Sequence, residues 1–326
     1  MLVPDFWAEA RRRHRAKGKQ ITVRRWGWSC QSQEDAQALA DRRADEALAT
    51  LLGGAKLDGI ERKRAYNGAE GVPIREEVVE RHGEQVITRN SYGARCLNSP
   101  DALFADIDFD AQPSWRARAI AFLVLAGASL LIALAQHSLM VGAGLLFLSL
   151  IGTTSLAASV QIISTRLQGG HEGIARRRIR RFIASHADWN LRLYRTPAGM
   201  RLLATHRRFS SDDTEVAGFF AAIGADPVFV RMCINQRCFR ARLSGKPWRM
   251  DISPHIKPRR AVWPIPDERL AARRAWIASY EARARQYAAC RYIESLGSGK
   301  IDQHLRQVVA LHDNACRALD ASVPLA

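Results

Sequence analysis

The stretch that decides the fold is AIAFLVLAGASLLIALAQHSLMVGAGLLFLSLIGTTSLAASVQII, residues 119–163, which contains no Asp, Glu, Lys or Arg. It consists of two apolar segments, 119–135 and 139–163, separated only by Gln136, His137 and Ser138. Segments of about 17 to 25 apolar residues match the hydrocarbon core of a bilayer when they are helical. The sequence therefore predicts a transmembrane hairpin with two spans.

The composition of the two segments favours insertion. The first contains nine Leu, Ile, Val or Phe residues and the second contains twelve. At about −0.3 to −0.6 kcal/mol for each such residue near a helix centre, insertion gains roughly 3 to 7 kcal/mol per span before polar residues subtract. Small residues at Gly127, Ala128, Gly142 and Gly144 would let the two helices approach closely. The alternative is a buried helical pair inside a soluble domain.

The charged residues around the hairpin predict its orientation. Arg116 and Arg118 precede it and Arg166 follows it, whereas the short connecting loop contains neither Lys nor Arg. The positive-inside rule then places both flanks, and so both termini, in the cytoplasm. Because two crossings return the chain to its starting side, the segments before and after the hairpin can form one domain. We expect residues 1–115 and 166–326 to be its halves, with the hairpin at 116–165.

The chain is strongly basic. Its 326 residues carry 49 Lys and Arg against 32 Asp and Glu, which gives a net charge of +17. Such a field favours polyanions, meaning nucleic acid, nucleotides or acidic lipid headgroups. A GC-rich genome explains the preference for arginine over lysine equally well, but it does not explain the excess of positive charge.

The cysteines and the N-terminal segment favour a reducing, cytosolic setting. The six cysteines are scattered, and after the closest pair, Cys233 and Cys238, no second Cys/His pair follows at the spacing of a zinc site. We therefore expect reduced thiols and no structural zinc. The first twenty residues contain no apolar stretch of the kind a signal peptide needs.

The remaining sequence predicts an α+β domain, because strands and helices alternate without a strict βαβ rhythm. The predicted strands are at 20–29, on both sides of Asn90 and Ser91, at 102–109, at 190–206 around a Pro-Ala-Gly turn, and at 247–253. The first predicted helix starts at Ser32, a capping residue, and runs to about Leu52. The other predicted helices cover 173–186, 213–223, 227–240 and the C-terminal segment from Asp267, broken at Gly297–Gly299.

An acidic strand leads into the hairpin. In the segment LFADIDFD, residues 103–110, alternate positions are apolar, so Asp106, Asp108 and Asp110 share the opposite face of an extended strand. Like charges at this spacing repel one another, and a divalent cation would relieve the repulsion. Carboxylate oxygens suit Mg or Mn. A solvated acidic strand edge is the competing interpretation.

Three short motifs together resemble those of the archaeo-eukaryotic primase superfamily, which includes primase-polymerases. They are the acidic pair in FADIDF, the strand ATH that ends in His206, and the sequence RMD that ends in Asp251. The resemblance implies an RRM-like or primase-like core in which Asp106, Asp108 and Asp251 hold two divalent metals. His206 would contact the phosphates of an incoming nucleotide during nucleotidyl transfer. The whole chain is also similar to uncharacterised two-span proteins of the bacterial inner membrane.

Basic residues surround these motifs. Arg195, Arg201, Lys246 and Arg249 lie near them in sequence and would cradle phosphate, although exposed surface charge is an equal alternative. The arginines between 176 and 181 come just after the second span, where contact with an anionic lipid leaflet is expected. Two functions follow: a membrane-anchored nucleotidyltransferase that acts on nucleotide or nucleic acid, or a non-catalytic anchored protein that binds nucleic acid or anionic lipid. A third possibility is an assembly factor without a ligand.

Overall fold

The computed structural model describes residues 1–16, 19–55, 73–109, 113, 115–259 and 261–326. The chain folds as two compact units. Unit 1 consists of Met1–Ile107 and Phe182–Ala326, and unit 2 is Asp108–Arg181. The fold class is mixed α+β, with two helices long and apolar enough to cross a membrane.

Unit 1 begins with a hairpin that packs on a helix. Strands β1 (Phe6–Ala16) and β2 (Lys19–Ser29) pair antiparallel, and helix α1 (Gln33–Leu52) packs against them. Ser32 caps α1, as predicted, by accepting a hydrogen bond from the Asp35 N–H at 3.1 Å. A Cβ at Gly27 would lie 2.1 Å from the Ala36 carbonyl oxygen, so only glycine allows this close packing.

The first four-stranded sheet has the order β3-β4-β5-β9. Its strands are β3 (Glu77–His82), β4 (Gln85–Arg89), β5 (Arg95–Ser99) and β9 (Phe239–Arg242), and neighbouring strands are antiparallel. The turn between β4 and β5 contains Asn90, whose side-chain oxygen accepts hydrogen bonds from the N–H groups of Tyr92 and Ala94. The two strands predicted on either side of Asn90 are therefore present.

The second four-stranded sheet joins the chain segments from both sides of the hairpin. Its order is β10-β7-β8-β6, with strands β6 (Phe104–Asp108), β7 (Asn190–Thr196), β8 (Gly199–Ala204) and β10 (Arg291–Gly297). Strand β6 precedes the apolar hairpin in sequence, and the other three follow it. One sheet therefore requires both halves of unit 1.

Helices α5 (Thr214–Ile223), α6 (Pro227–Gln236), α7 (Asp267–Ala284) and α8 (Gln303–Cys316) complete unit 1. Three predictions about this region were wrong. The helix predicted to reach residue 240 ends at Gln236, because Phe239 and Ala241 pair with strand β5. The strand predicted at 247–253 begins as a 3₁₀ turn at Pro247–Arg249, since proline lacks the N–H that a strand ladder uses. The C-terminal segment predicted to be helical from Asp267 to the break at Gly297 instead contains strand β10, because residues 291–297 pair with β7.

Unit 2 contains helices α2 (Trp115–Ala135) and α3 (Leu139–Leu167) and most of α4 (Gly170–Ser185). Large apolar side chains on α2 and α3 are exposed in many directions, among them Leu123, Leu131, Leu139 and Phe147. Exposed apolar surface of this extent is costly in water and is typical of lipid-facing helices.

Small polar and apolar residues join α2 and α3. The hydroxyl oxygens of Ser129 and Ser149 lie 3.0 Å apart, and each also lies 2.8 Å from the carbonyl oxygen four residues earlier, so one hydroxyl can donate across to the other helix while the other donates to its own. Ala121 and Ala157 are buried as well. The expected role of Gly127, Ala128 and Gly144 was wrong, because all three are exposed, whereas Gly142 does lie against Ala133.

Candidate functional sites

Asp106 of β6 is bound by a buried arginine. Arg201, on the neighbouring strand β8, donates from Nε to Asp106 Oδ1 at 2.8 Å and from Nη2 to Oδ2 at 3.2 Å. Only 2% of the Arg201 side chain is exposed, compared with 29% for Asp106. Burial disfavours the charged guanidinium, but the pairing with Asp106 outweighs it and raises the pKa of Arg201. Both carboxylate oxygens are thus already engaged by a permanent cation.

The rest of the predicted acidic face differs from a row of carboxylates. Phe104, on the same face, is fully buried and its ring lies 5.1 Å from that of His312. Asp108 is exposed at the end of β6. Asp110 lies outside the described residues. The alternation in the sequence correctly predicts the strand, but on the face opposite Ile107 the side chain of Phe104 is packed against protein and that of Asp106 is engaged by Arg201.

His206 is a core residue. It is 4% exposed, and its ring lies 4.7 Å from that of Trp189 and 5.3 Å from that of Phe209. Nδ1 accepts a hydrogen bond from the Asn190 N–H at 3.4 Å, and Nε2 is buried without a partner among the described residues. Burial lowers the pKa of His206, which favours the neutral imidazole. This ring packs in the interior, whereas a phosphate contact requires an accessible hydrogen-bond donor.

Asp251 follows the 3₁₀ turn and not a strand. Its side chain is 83% exposed and pairs with Arg283 at 2.9 Å. A metal site would bring at least three ligand atoms from Cys, His, Asp or Glu within 4.8 Å of one another. In the part of the chain that the structure describes, two groups meet this condition: Cys290 with His312 and Cys316, and Glu84 with Asp101 and His304. The structure therefore does not gather Asp106, Asp108 and Asp251 into a shared cluster.

The four residues expected to cradle phosphate lie in different environments. Arg201 is engaged by Asp106, as described above. Arg195 lies on β7 opposite Met200 and Arg291 and lines a shallow cleft with residues 321–325. Lys246 precedes the 3₁₀ turn and Arg249 is its last residue, and the Lys246 ammonium lies 5.6 Å from the Trp248 ring centre. A role of Arg195, Lys246 and Arg249 in binding phosphate stays a prediction. Arg201 is fully buried and paired with Asp106.

Helix α4 presents an arginine-rich face. Ala175, Ile179 and Phe182 are buried along one side, at helical spacing, while Arg177, Arg178, Arg180 and Arg181 are exposed. Helix α4 begins three residues after the last residue of α3, and Arg177 donates to the carbonyl oxygen of Gln168, the C-cap of α3, at 2.6 Å. This hydrogen bond holds a guanidinium of α4 at the end of the apolar helix.

The buried cluster of Cys290, His312 and Cys316 was missed by the sequence analysis. All three side chains are at most 1% exposed. His312 and Cys316 are one helical turn apart on α8, so the H-x-x-x-C spacing was the signal that could have found them. Cys290 is far away in sequence and only the fold brings it to them. The hydrogen bond with Cys316 and the nearby His312 and Arg201 lower the pKa of Cys290.

Comparison with known proteins gives no relatives. No protein-family model matches the chain, and neither a curated protein nor a solved structure matches it.

Proposed function

We propose that the chain is an integral membrane protein that binds anionic lipid headgroups through the arginine face of α4. Helices α2 and α3 cross the bilayer as a hairpin, and both termini lie in the cytoplasm. The observation that carries this proposal is the hydrogen bond from Arg177 to the Gln168 carbonyl, because it holds the arginine face where the second span ends.

The position of the span end follows from its length and composition. Helix α3 has 29 residues, and its apolar part ends a few residues before Arg166. A helix of this length rises about 43 Å at 1.5 Å per residue, so it reaches from the opposite interface into the headgroup region on its C-terminal side. Arg166 and the exposed arginines of α4 are therefore at the level of the lipid phosphates.

The charge on this face is sufficient for lipid binding. Each Lys or Arg near an anionic leaflet contributes about 1 kcal/mol. The exposed arginines of α4 together would add roughly 3 to 4 kcal/mol, enough to enrich acidic lipids around the hairpin strongly. The buried side of the same helix, Ala175, Ile179 and Phe182, keeps these cations pointing away from the protein interior.

The alternative function, divalent-metal-dependent nucleotidyl transfer, receives less support. A metal at Asp106 would compete with Arg201, which already donates to both carboxylate oxygens. A metal that displaced Arg201 would leave a buried guanidinium without its counter-ion, which costs several kcal/mol. His206 is buried in an aromatic cluster and Asp251 is paired with Arg283. Binding of a phosphate surface by arginine needs none of these rearrangements.

The test uses the full chain in lipid nanodiscs that contain equal amounts of zwitterionic phosphatidylcholine and anionic phosphatidylglycerol. Native mass spectrometry of the protein released with its tightly held lipids should show enrichment of phosphatidylglycerol. The variant with Arg178→Gln, Arg180→Gln and Arg181→Gln should lose most of this enrichment. It retains Arg177 and its hydrogen bond to Gln168.

The control variant carries Arg231→Gln, Arg269→Gln and Arg274→Gln, which remove three exposed cations from α6 and α7. It should retain the enrichment. Equal enrichment in both variants would contradict the proposal. Manganese binding abolished by Asp106→Ala with Asp108→Ala would instead favour the nucleotidyltransferase. Salt-sensitive DNA binding by protein in uncharged nanodiscs, lost in the α4 variant, would assign the same face to nucleic acid.

A further inference from the structure

We propose that Cys290, His312 and Cys316 bind a thiophilic cation of the zinc and copper(I) class in the interior of unit 1. The sulfur atoms of the two cysteines and a ring nitrogen of His312 all lie within 4.8 Å of one another. Two thiolates and an imidazole are ligands that such cations prefer over magnesium or calcium. The proposal is independent of the lipid-binding face of α4.

The spacing of the Cys290 sulfur and the His312 nitrogen fits a shared cation. With metal–sulfur and metal–nitrogen bonds of about 2.3 and 2.05 Å, a sulfur and a nitrogen that share one metal are roughly 3.6 Å apart at a tetrahedral angle and roughly 3.8 Å apart at a trigonal one. The distance between Cys290 Sγ and His312 Nε2 is 3.8 Å. An ion between these atoms therefore needs almost no movement of their side chains.

The ring of His312 is oriented so that a metal would bind at Nε2. Its Nδ1 lies 3.0 Å from Asp313 Oδ1 and donates to this carboxylate, which places Nε2 on the side of Cys290. Asp313 is fixed in turn by the Tyr194 hydroxyl at 2.7 Å and by Arg192 at 2.5 Å. A carboxylate behind a histidine ligand is a recurring arrangement in zinc proteins, where it orients the ring and increases its basicity.

The backbone places the ligands before any ion is bound. His312 and Cys316 are on successive turns of α8. The N–H of Ala289, next to Cys290, donates to the Cys316 carbonyl oxygen at 3.0 Å. This hydrogen bond fixes the segment before β10 against the end of α8, so binding does not have to pay for ordering the chain.

The surrounding charges are compatible with a cation. Arg201 is a buried cation near Cys290, and Asp106 already neutralises it. Asp313 is likewise matched by Arg192. Two thiolates would then balance a zinc ion, which avoids an uncompensated charge in the interior. The buried position implies that the ion is taken up as the unit folds.

The experiment measures metal on the full chain, purified in detergent from cells grown separately with added zinc or added copper. Elemental analysis should find about one equivalent of one of these metals per chain, and the arm that contains it distinguishes zinc from copper. The double variant Cys290→Ser with Cys316→Ser should lose at least nine-tenths of the metal. The control, Cys233→Ser with Cys238→Ser, removes two other buried cysteines and should retain it.

A second measurement needs no substitution, in case the serine variant fails to fold. Wild-type protein stripped of metal and loaded with cobalt(II) should develop thiolate-to-cobalt charge-transfer absorption in the near ultraviolet. Metal content far below one equivalent in both arms, together with no cobalt spectrum, would overturn the proposal. An intact mass and thiol count that show a disulfide between Cys290 and Cys316 in freshly purified protein would overturn it as well.

Discussion

Arg201 and Asp106 form a two-point salt bridge between neighbouring strands, with the guanidinium in the interior and the carboxylate at its edge. Arg201 also donates to the Arg242 carbonyl oxygen at 2.8 Å, so its position is fixed from two sides. The pair therefore has unequal partners, because losing the carboxylate leaves a buried charge, whereas losing the guanidinium leaves an aspartate that water can reach.

This inequality predicts the effects of two substitutions. Asp106→Asn should destabilise unit 1 by about 3 to 5 kcal/mol, because breaking a buried pair leaves the other charge uncompensated. Arg201→Met should destabilise it less. Thermal unfolding in detergent, followed by tryptophan fluorescence, measures both, and the Asp106→Asn midpoint should fall by roughly 10 °C. If Asp106 were a metal ligand, Asp106→Asn would abolish manganese binding with little loss of stability.

Burial of His206 predicts a pH dependence of stability. Its pKa is lower in the folded state than the value of about 6.5 in an unfolded chain, so the unfolded state binds more protons as the pH falls below that value. The contribution of neutral His206 is therefore fully present above pH 6.5 and is lost below it. The unfolding midpoint should fall between pH 7.5 and pH 5.5 by more in wild type than in His206→Gln. The exposed His255→Gln control should behave as wild type does.

Two glycines should respond to alanine in opposite ways. Gly27→Ala should destabilise the packing of β2 on α1 by more than about 3 kcal/mol, because the new Cβ would overlap the Ala36 carbonyl oxygen. Gly218→Ala should stabilise α5 by up to about 1 kcal/mol, since that position is exposed, helical and open. Denaturant titration measures both. Equal and small effects would contradict the close approach at Gly27.

The serine pair predicts how the hairpin is held together. Ser129→Leu should force α2 away from α3, because the larger side chain would have to fit at a buried position in contact with Ser149. We expect the free energy of unfolding of the hairpin to fall by about 1 to 3 kcal/mol. Leu131→Phe, on the exposed face of the same helix, is the control and should leave it unchanged. The measurement is circular dichroism in detergent. Loss of stability in both variants would contradict the specific role of Ser129.

Local patterns predict much of this fold. The two apolar segments, the Ser32 cap and the alternation around Ile107 each depend on neighbours in sequence, and the helices and strand that they predict are present. The errors arise where distant segments decide. Ala241 is in a strand because Leu97 of β5 is available to pair with it. The glycines chosen for helix packing were wrong because the rotation of each helix decides which small residues meet.

The candidate sites also differ in whether the local sequence predicts them. The arginine cluster of α4 is contiguous, and its proximity to the second span can be predicted from sequence. The pairing of Asp106 with Arg201 links positions 95 residues apart, and nothing local distinguishes a carboxylate that binds metal from one that binds arginine. Cys290 meets His312 only through the fold, although the spacing of His312 and Cys316 on one helix was visible.

The strand order β10-β7-β8-β6 determines when this sheet can form during synthesis of the chain. Strand β6 leaves the ribosome just before the apolar hairpin, but β8, beside which it lies, is translated only afterwards. With the hairpin inserted as proposed, its delivery to the translocation machinery would precede completion of this sheet. Unit 1 would then complete its folding on a nascent chain already tethered to the bilayer, and a version shortened before residue 182 would leave β6 without its neighbouring strand β8.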